Sequence, residues 1–367
     1  KVSLPLARPA IVVGVSLVMM ETLADFGTVD FFAVKTLTLA IFNVWLGMGN
    51  AGGASQIAVT ILCFVIVLIS IERIARKGRG YQINTKRHKT PHRLELTQFQ
   101  KFASFLLCLF PIIVGFLIPA LVLFVYAYKL FEVSFKPEFF GYAWNSFFLS
   151  IITSIVTIFV AFFLAFGRRF AGKFFSIVSQ FVLLGYAVPG AVLAVGVLIP
   201  LAKLDNSISD FFLETFGYST GLIFSGSIFA LIFTYTIRFL AIGFGGAESS
   251  LSKIPSSFEM AARTLGSKPG KVLRYIHLPL IRSSMFAAAV IVFVDTMKEL
   301  PATLILRPFN FDTLAINVYQ LASDELFEQS ALSALTIVLV GIIPVIILSK
   351  ISIFDSSTDY GPNVNVR

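Results

Sequence analysis

Eight stretches of this chain stay apolar for about twenty residues or more, and no other feature narrows the possible folds so far. They fall at 9–28, 54–72, 102–128, 144–166, 174–202, 220–244, 283–304 and 329–349. A helix rises about 1.5 Å per residue, so about twenty residues cross a hydrocarbon core about 30 Å thick. A lone strand would leave its backbone groups unsatisfied in lipid, so each stretch predicts a spanning helix. Composition agrees: 57% of the 367 residues are hydrophobic, 40 of them Phe, and only 13% are charged. A soluble domain carries about twice that charge. A water-soluble enzyme, a disordered chain and a disulfide-stapled secreted domain are excluded. Cys63 and Cys108 both lie inside apolar runs, which makes them packing residues.

The net charge of +9 is unevenly spread. Arg73, Arg76, Lys77, Arg79, Lys86, Arg87, Lys89, Arg93 and Lys101 crowd one connector. Arg168, Arg169 and Lys173 form a second cluster, and Lys253, Arg263, Lys268, Lys271, Arg274 and Arg282 a third. Every one of these falls on the same side when the spans are threaded in order. Basic loops stay in the cytoplasm, so this side and the C-terminus are predicted to be cytoplasmic. Asp205, Asp210, Glu214, Asp324, Glu325 and Glu328 collect on the other face. The excess charge is thus a topology signal, and no nucleic-acid partner is expected.

An internal repeat accompanies the spans. Leu4-Pro5-Leu6 and Arg8 recur as Leu278-Pro279-Leu280 and Arg282, at an offset of 274. Glu21, Thr22 and Asp25 meet Asp295, Thr296 and Glu299 at that offset, and Leu39-Ala40-Ile41 meets Leu314-Ala315-Ile316 after one inserted residue. Six intervening spans keep both copies in one orientation, as in repeats related by an axis along the membrane normal. The division expected is 1–72 for two spans of a first copy, 73–101 for a basic cytoplasmic linker, 102–350 for a complete six-span second copy and 351–367 for a cytoplasmic tail. On this reading the chain is cut from a longer one and lacks the start of its first copy.

The cytoplasmic loop 245–282 carries the most specific pattern. Ser256 or Ser257 is placed to cap a short helix that Gly266 would stop. Ala261-Ala262, then Gly266, then Ile276-x-Leu278-Pro279 after nine residues, resembles the coupling loop of bacterial ABC importer permeases. Met260 stands where that motif has Glu, and Glu259 lies one residue early. The resemblance implies an all-α polytopic membrane protein with the type I ABC importer permease fold, eight transmembrane helices being present. It implies that this loop docks on an ABC ATP-binding subunit, two copies of which would serve the two halves. The chain itself carries no ATPase motif and is expected to bind no cofactor, ATP being used by the partner. Gly167-x4-Gly172-Lys173 lacks the Ser or Thr of a phosphate loop and the strand before it.

Acids inside spans are costly, about 2.5–3.5 kcal/mol at the bilayer centre, so they mark candidate function. Glu21 and Asp25 share one helix face, as do Asp295 and Glu299 in the second copy. With Lys298 they are candidates for the translocation path or its gate. Hard cations prefer oxygen ligands, and two facing copies would bring four carboxylates together. The other reading has them capping helix ends or pairing with Lys298. Glu21 to Val29, ETLADFGTV, and residues 295–315, DTMKELPATLILRPFNFDTLA, resemble the two signatures of fused two-repeat ferric-iron permeases. That resemblance implies a bacterial inner-membrane importer receiving ferric iron from a periplasmic iron(III)-binding protein.

Thiamine or another small solute is the alternative cargo. An ATP-independent secondary transporter or channel is the alternative class, and the coupling-loop spacing argues against it. His88 and His92 are four apart, but Pro91 and surrounding basic residues favour a solvated linker over a metal site. His277 belongs to the coupling loop, with no partner evident for metal binding or catalysis.

Overall fold

In the computed structural model, residues 3–76, 96–170 and 173–358 are described. Much of the basic linker, with His88 and His92, lies outside them, as do Gly172 of the phosphate-loop look-alike and the tail beyond 358. Among the described residues every regular element is helical. The stretch read as a first copy holds α1 (Ser3–Ala24), α2 (Gly27–Phe31), α3 (Leu37–Phe42) and α4 (Ala51–Arg76), and the stretch read as a second copy holds the rest. The second opens with α5 (Gln98–Ile112), α6 (Ile118–Lys129), α7 (Phe131–Ser134) and α8 (Pro137–Phe170). It continues with α9 (Lys173–Val182), α10 (Gly190–Phe216), α11 (Ile228–Ser252), α12 (Ser256–Thr264) and α13 (Pro269–Val272). It ends with α14 (Leu278–Met297), α15 (Pro301–Leu306), α16 (Leu314–Ser323) and α17 (Phe327–Thr358).

Seven helical segments among the described residues are long and apolar enough to cross a membrane, and α1, with 22 residues, is an eighth of spanning length. The chain is an all-helical, multi-pass membrane protein. One expected span is corrected. The apolar run 174–202 breaks into α9, a 3-10 turn at Gly185–Ala187 and α10, which runs on to Phe216. Pro189 stands at the N-cap of α10 in extended backbone, where it cannot continue the preceding helix. Hydropathy does not see the break because both sides of it are apolar.

The core joins the two copies. Phe26, Ile41, Ala54, Ile61 and Val65 of the first lie in one buried cluster with Ala191, Val195, Leu231, Tyr235 and Val292 of the second. A second cluster includes Phe162, Phe244, Leu251 and Ile281, with Ile254 of the loop 245–282. Small residues let the second-copy helices approach closely: Gly243 of α11 faces Ala161 of α8, and Gly246 faces Ala288 of α14. Phe102, Phe105, Phe110, Phe124, Phe159 and Phe181 point outward, as a lipid-facing surface requires. Asp205 is buried in α10 yet satisfied: it accepts from the Phe224 and Ser225 backbone N–H groups (2.9 and 2.7 Å) and the Ser225 hydroxyl (2.6 Å). It therefore pins the connection leading into α11.

Hydrogen bonds repeat at the offset of 274. The Thr22 hydroxyl donates to the Val18 carbonyl and the Thr296 hydroxyl to the Val292 carbonyl, both at 2.8 Å. Asp25 accepts from the Thr28 N–H at 3.3 Å, and Glu299 accepts from the Ala302 N–H at 3.4 Å. Each acid thus satisfies the first turn of a short helix after a break, α2 or α15. Beyond these helices the register differs from the single inserted residue expected. The capping hydroxyls are Thr36 and Thr313, and the residues of positive φ are Ala33 and Asn310. Both pairs stand 277 apart, so the second connection is three residues longer. A π-helical turn at Asn43–Gly47 then absorbs surplus length in the first copy.

Candidate functional site

The two helix breaks face each other across a cavity of about 540 Å³. Its walls include Glu21, Asp25, Phe26 and Gly27 from the first copy, and Arg238, Lys298, Glu299 and Pro301 from the second. Of the five residues singled out for the path, Glu21, Asp25, Lys298 and Glu299 line it directly, and Asp295 adjoins it through Lys298, 3.0 Å from the ammonium. Gly27 also lines a second cavity of about 590 Å³, bounded by Asp30, Tyr319 and Glu325. There the Tyr319 hydroxyl donates to Asp30 at 2.9 Å.

The four acids do not form one chelating set. Among the described residues, no three His, Cys, Asp or Glu side chains are grouped to hold a metal ion. The reason is that the second-copy acids already have cations. Asp295 pairs with Lys298, and Glu299 accepts from the Arg238 guanidinium at 2.6 Å, both partners of that pair being buried. Lys298 therefore pairs one turn back along its own helix, not with adjacent Glu299. The first-copy acids lack such partners: among the described residues no cation lies within ion-pair distance of Glu21 or Asp25. Glu21 instead accepts from the Tyr186 hydroxyl at 2.7 Å. With each second-copy acid matched by one cation, the surroundings of the cavity keep a net charge of about two negatives, and Lys298 also lies within electrostatic reach of Glu21.

Arg238 and Tyr186 were not anticipated as site residues. A charge within an apolar span is a signal in the sequence, and Arg238 is one. Its partner is not, since Glu299 lies 61 residues away. Tyr186 sits in the 3-10 turn before Pro189 and carries no signal of its own. Gly190 completes the arrangement. A Cβ there would run into the Arg238 guanidinium and the Glu299 carboxylate, so a larger residue would have to push this buried pair out of its place. Gly190→Ala should therefore lower stability by about 1–3 kcal/mol, read as a lower Tm in detergent micelles.

The residues expected to form a coupling loop lie at the other end of α14, whose 20 residues span about 30 Å. The short helix α12 begins at Ser256 after Pro255, with no side-chain cap, so neither serine performs the expected capping. It stops at Gly266, whose φ of 78° is a left-handed conformation that glycine adopts without strain, and the Ser267 N–H reaches back to the Ala262 carbonyl. Met260 and Ala261 are exposed and Ala262 is half-buried, while Phe258 and Leu265 extend the exposed apolar face. Glu259 turns the other way, into an ion pair with Arg169 at 2.6 Å. Ile276 is half-buried in a π-helical turn that runs directly into α14, Leu278 opens α14, and Pro279 follows where the widened turn takes up the ladder bond its missing N–H cannot make. Gly167 lies inside α8 against Phe175, in no context for cradling phosphate.

This architecture is the ABC importer permease fold. Superposed on the permease of a bacterial alginate ABC transporter, solved in complex with a periplasmic protein bound to alginate pentasaccharide, it gives a TM-score of 0.54, covering 69% of this chain and 94% of that one at 13% identity. In sequence the chain is similar to the Fe(3+)-transport system permease protein FbpB 2 of Haemophilus influenzae, 25% identical over 94% of this chain. It is also similar to the putative 2-aminoethylphosphonate transport system permease protein PhnV of Salmonella typhimurium, 30% identical over 32% of this chain. The chain spans 66% of the length of the first relative and 44% of the second. No family model matches it.

Proposed function

We propose that this chain is the transmembrane permease subunit of an ATP-driven importer for ferric iron in the bacterial inner membrane. The observation that carries the cargo assignment is the charge of the cavity: Glu21 and Asp25 have no ion-pair partner of their own among the described residues, which leaves its wall net negative. Such a wall attracts a cation and has oxygen ligands suited to a hard one. The similarity to an Fe(3+)-transport permease over 94% of the chain supports the same reading. Iron would arrive on a periplasmic binding protein at the acidic face and leave toward the basic end, which the charge pattern assigns to the cytoplasm.

The exposed apolar face of α12, formed by Phe258, Met260 and Leu265, fits a groove on an ABC ATP-binding subunit. Two such subunits would serve the two halves, and ATP would be bound and hydrolysed there, leaving this chain without catalytic or cofactor chemistry of its own. A small anionic or zwitterionic solute is the competing cargo, favoured by the presence of Lys298 and Arg238 in the same wall. Reconstitution of the full-length protein with its ATPase and loaded binding proteins separates the two. ATP hydrolysis should rise with an iron(III)-loaded binding protein and stay at its resting level with thiamine- or phosphonate-loaded ones. The reverse pattern would reassign the cargo, and no stimulation by any loaded binding protein would remove the importer reading.

A further inference from the structure

We infer that Arg169, Glu259 and His277 form an internal linkage tying the coupling helix to the membrane bundle, with Glu259 a positioning residue turned inward and not a contact made to the ATPase. The inference rests on the importer reading and deepens it. Glu259 Oε1 lies 2.6 Å from Arg169 Nε at the end of α8 and 3.3 Å from His277 Nε2 just before α14. The Arg169 guanidinium also donates to the carbonyls of Leu251 and Ile254, the latter at 2.7 Å. One planar, permanently charged group thus holds α8, the last turn of α11, the turn leading into α12, and α12 itself.

His277 closes the other side by packing and not by a hydrogen bond, since neither ring nitrogen has a hydrogen-bond partner among the described residues. It has no exposed surface, and its ring packs edge-on against Phe166 and Phe170 of α8, at 6.0 and 5.7 Å. Glu259 is only 13% exposed, whereas Met260 beside it is 59% exposed. One residue turns a helix by about 100°, so these two positions cannot serve the same surface. Met260 belongs to the face offered to a partner, and Glu259 to the face that receives the load. By contrast, the Arg168–Glu248 pair is about a third exposed on each side and is screened by solvent, so it adds little. A displacement of α12 is therefore delivered to α8 and α14 together. α14 ends at Met297, beside Lys298 and Glu299 of the cavity. The linkage is the near end of a continuous route from ATPase to path.

The test uses the full-length transporter, reconstituted in vesicles with its ATPase and binding protein, and reads cargo moved per ATP hydrolysed. Glu259→Ala should lower that ratio about tenfold, within the usual range of coupling between sites. Arg169→Ala should do the same, and the double variant should be no worse than either single one. Glu259→Gln still presents an oxygen to the guanidinium and should keep most of the ratio, which a role in assembly alone would not explain. A double-mutant cycle on Tm in detergent micelles checks the contact apart from transport, and non-additive shifts are expected. An unchanged ratio in both single variants overturns the linkage. So does loss of ATPase-subunit binding in Glu259→Ala with normal binding in Arg169→Ala, because Glu259 would then be an outward contact. If the wild-type transporter shows no ATP-driven uptake, the importer reading itself falls, a result told apart because no ratio exists for the variants to lose.

Discussion

Arg238→Ala should destabilise the folded chain by about 3–5 kcal/mol, because it leaves the Glu299 carboxylate buried with no counter-charge. The loss is large because the group left behind cannot reach water easily: Glu299 lies under Gly190, against α15. Removing both charges together is a different experiment. Arg238→Met combined with Glu299→Gln abolishes the pair without orphaning a charge, and should recover most of the lost stability. Lys298→Ala provides the contrast, since that side chain is 58% exposed and its pair with Asp295 is worth less than about 1 kcal/mol. Thermal unfolding of the three variants in one detergent should rank them in that order. A melting temperature for Arg238→Ala equal to that of Lys298→Ala would show that the pair does not hold α11 to the break after α14.

The second large effect concerns transport. Glu21→Gln together with Asp25→Asn should cut iron uptake about 100-fold while membrane insertion and ATPase assembly stay normal. At an effective dielectric of about 20, one carboxylate about 4 Å from a unit charge contributes about 4 kcal/mol. Desolvation offsets part of this, and a 100-fold change corresponds to about 2.7 kcal/mol for the two acids combined. Uptake by the variant, measured with radiolabelled iron in vesicles beside wild type, decides the matter. If uptake is unchanged, the carboxylates only cap and pair, and the cavity is not the path. If the true cargo is an anion, the same substitutions should raise its uptake, which separates the two cargo classes in one experiment.

How much of this was legible in the sequence follows from what each feature depends on. The membrane-spanning helices depend on local hydrophobicity, and the runs at 54–72, 144–166 and 329–349 are contained in the helices observed. The run at 174–202 failed because a backbone break, not a polarity change, divides it at Pro189. The acids of the cavity were visible as charges in apolar surroundings, but their partners were not. Whether Glu299 is free or neutralised is decided by Arg238, from another helix. Four facing carboxylates were a fair inference from the repeat, yet only one copy keeps its acids without cations. In loop 245–282 the spacing predicted a short helix stopped at Gly266, whereas the orientation of Glu259 needed the positions of Arg169 and His277. The capping threonines show the same limit: Thr38 lies one position before Leu39 as Thr313 does before Leu314, but Thr36 caps α3 while the Thr38 hydroxyl donates to the Leu23 carbonyl.

The unequal treatment of the two acid pairs bears on residence time. Four bare carboxylates around a trivalent ion would make a trap, since every 1.4 kcal/mol of extra grip lengthens the dwell about tenfold at a fixed rate of entry. A conduit must bind well enough to admit its passenger and weakly enough to let it go. On the proposed importer reading, the resident cations of Asp295 and Glu299 withhold half of the available negative charge from a passing ion. The wall that remains is one-sided. An ion drawn to Glu21 and Asp25 meets neutral pairs opposite, so its escape requires loosening from a single helix end. A throughput measured in turnovers per second, not the depth of the binding well, is the quantity this asymmetry favours.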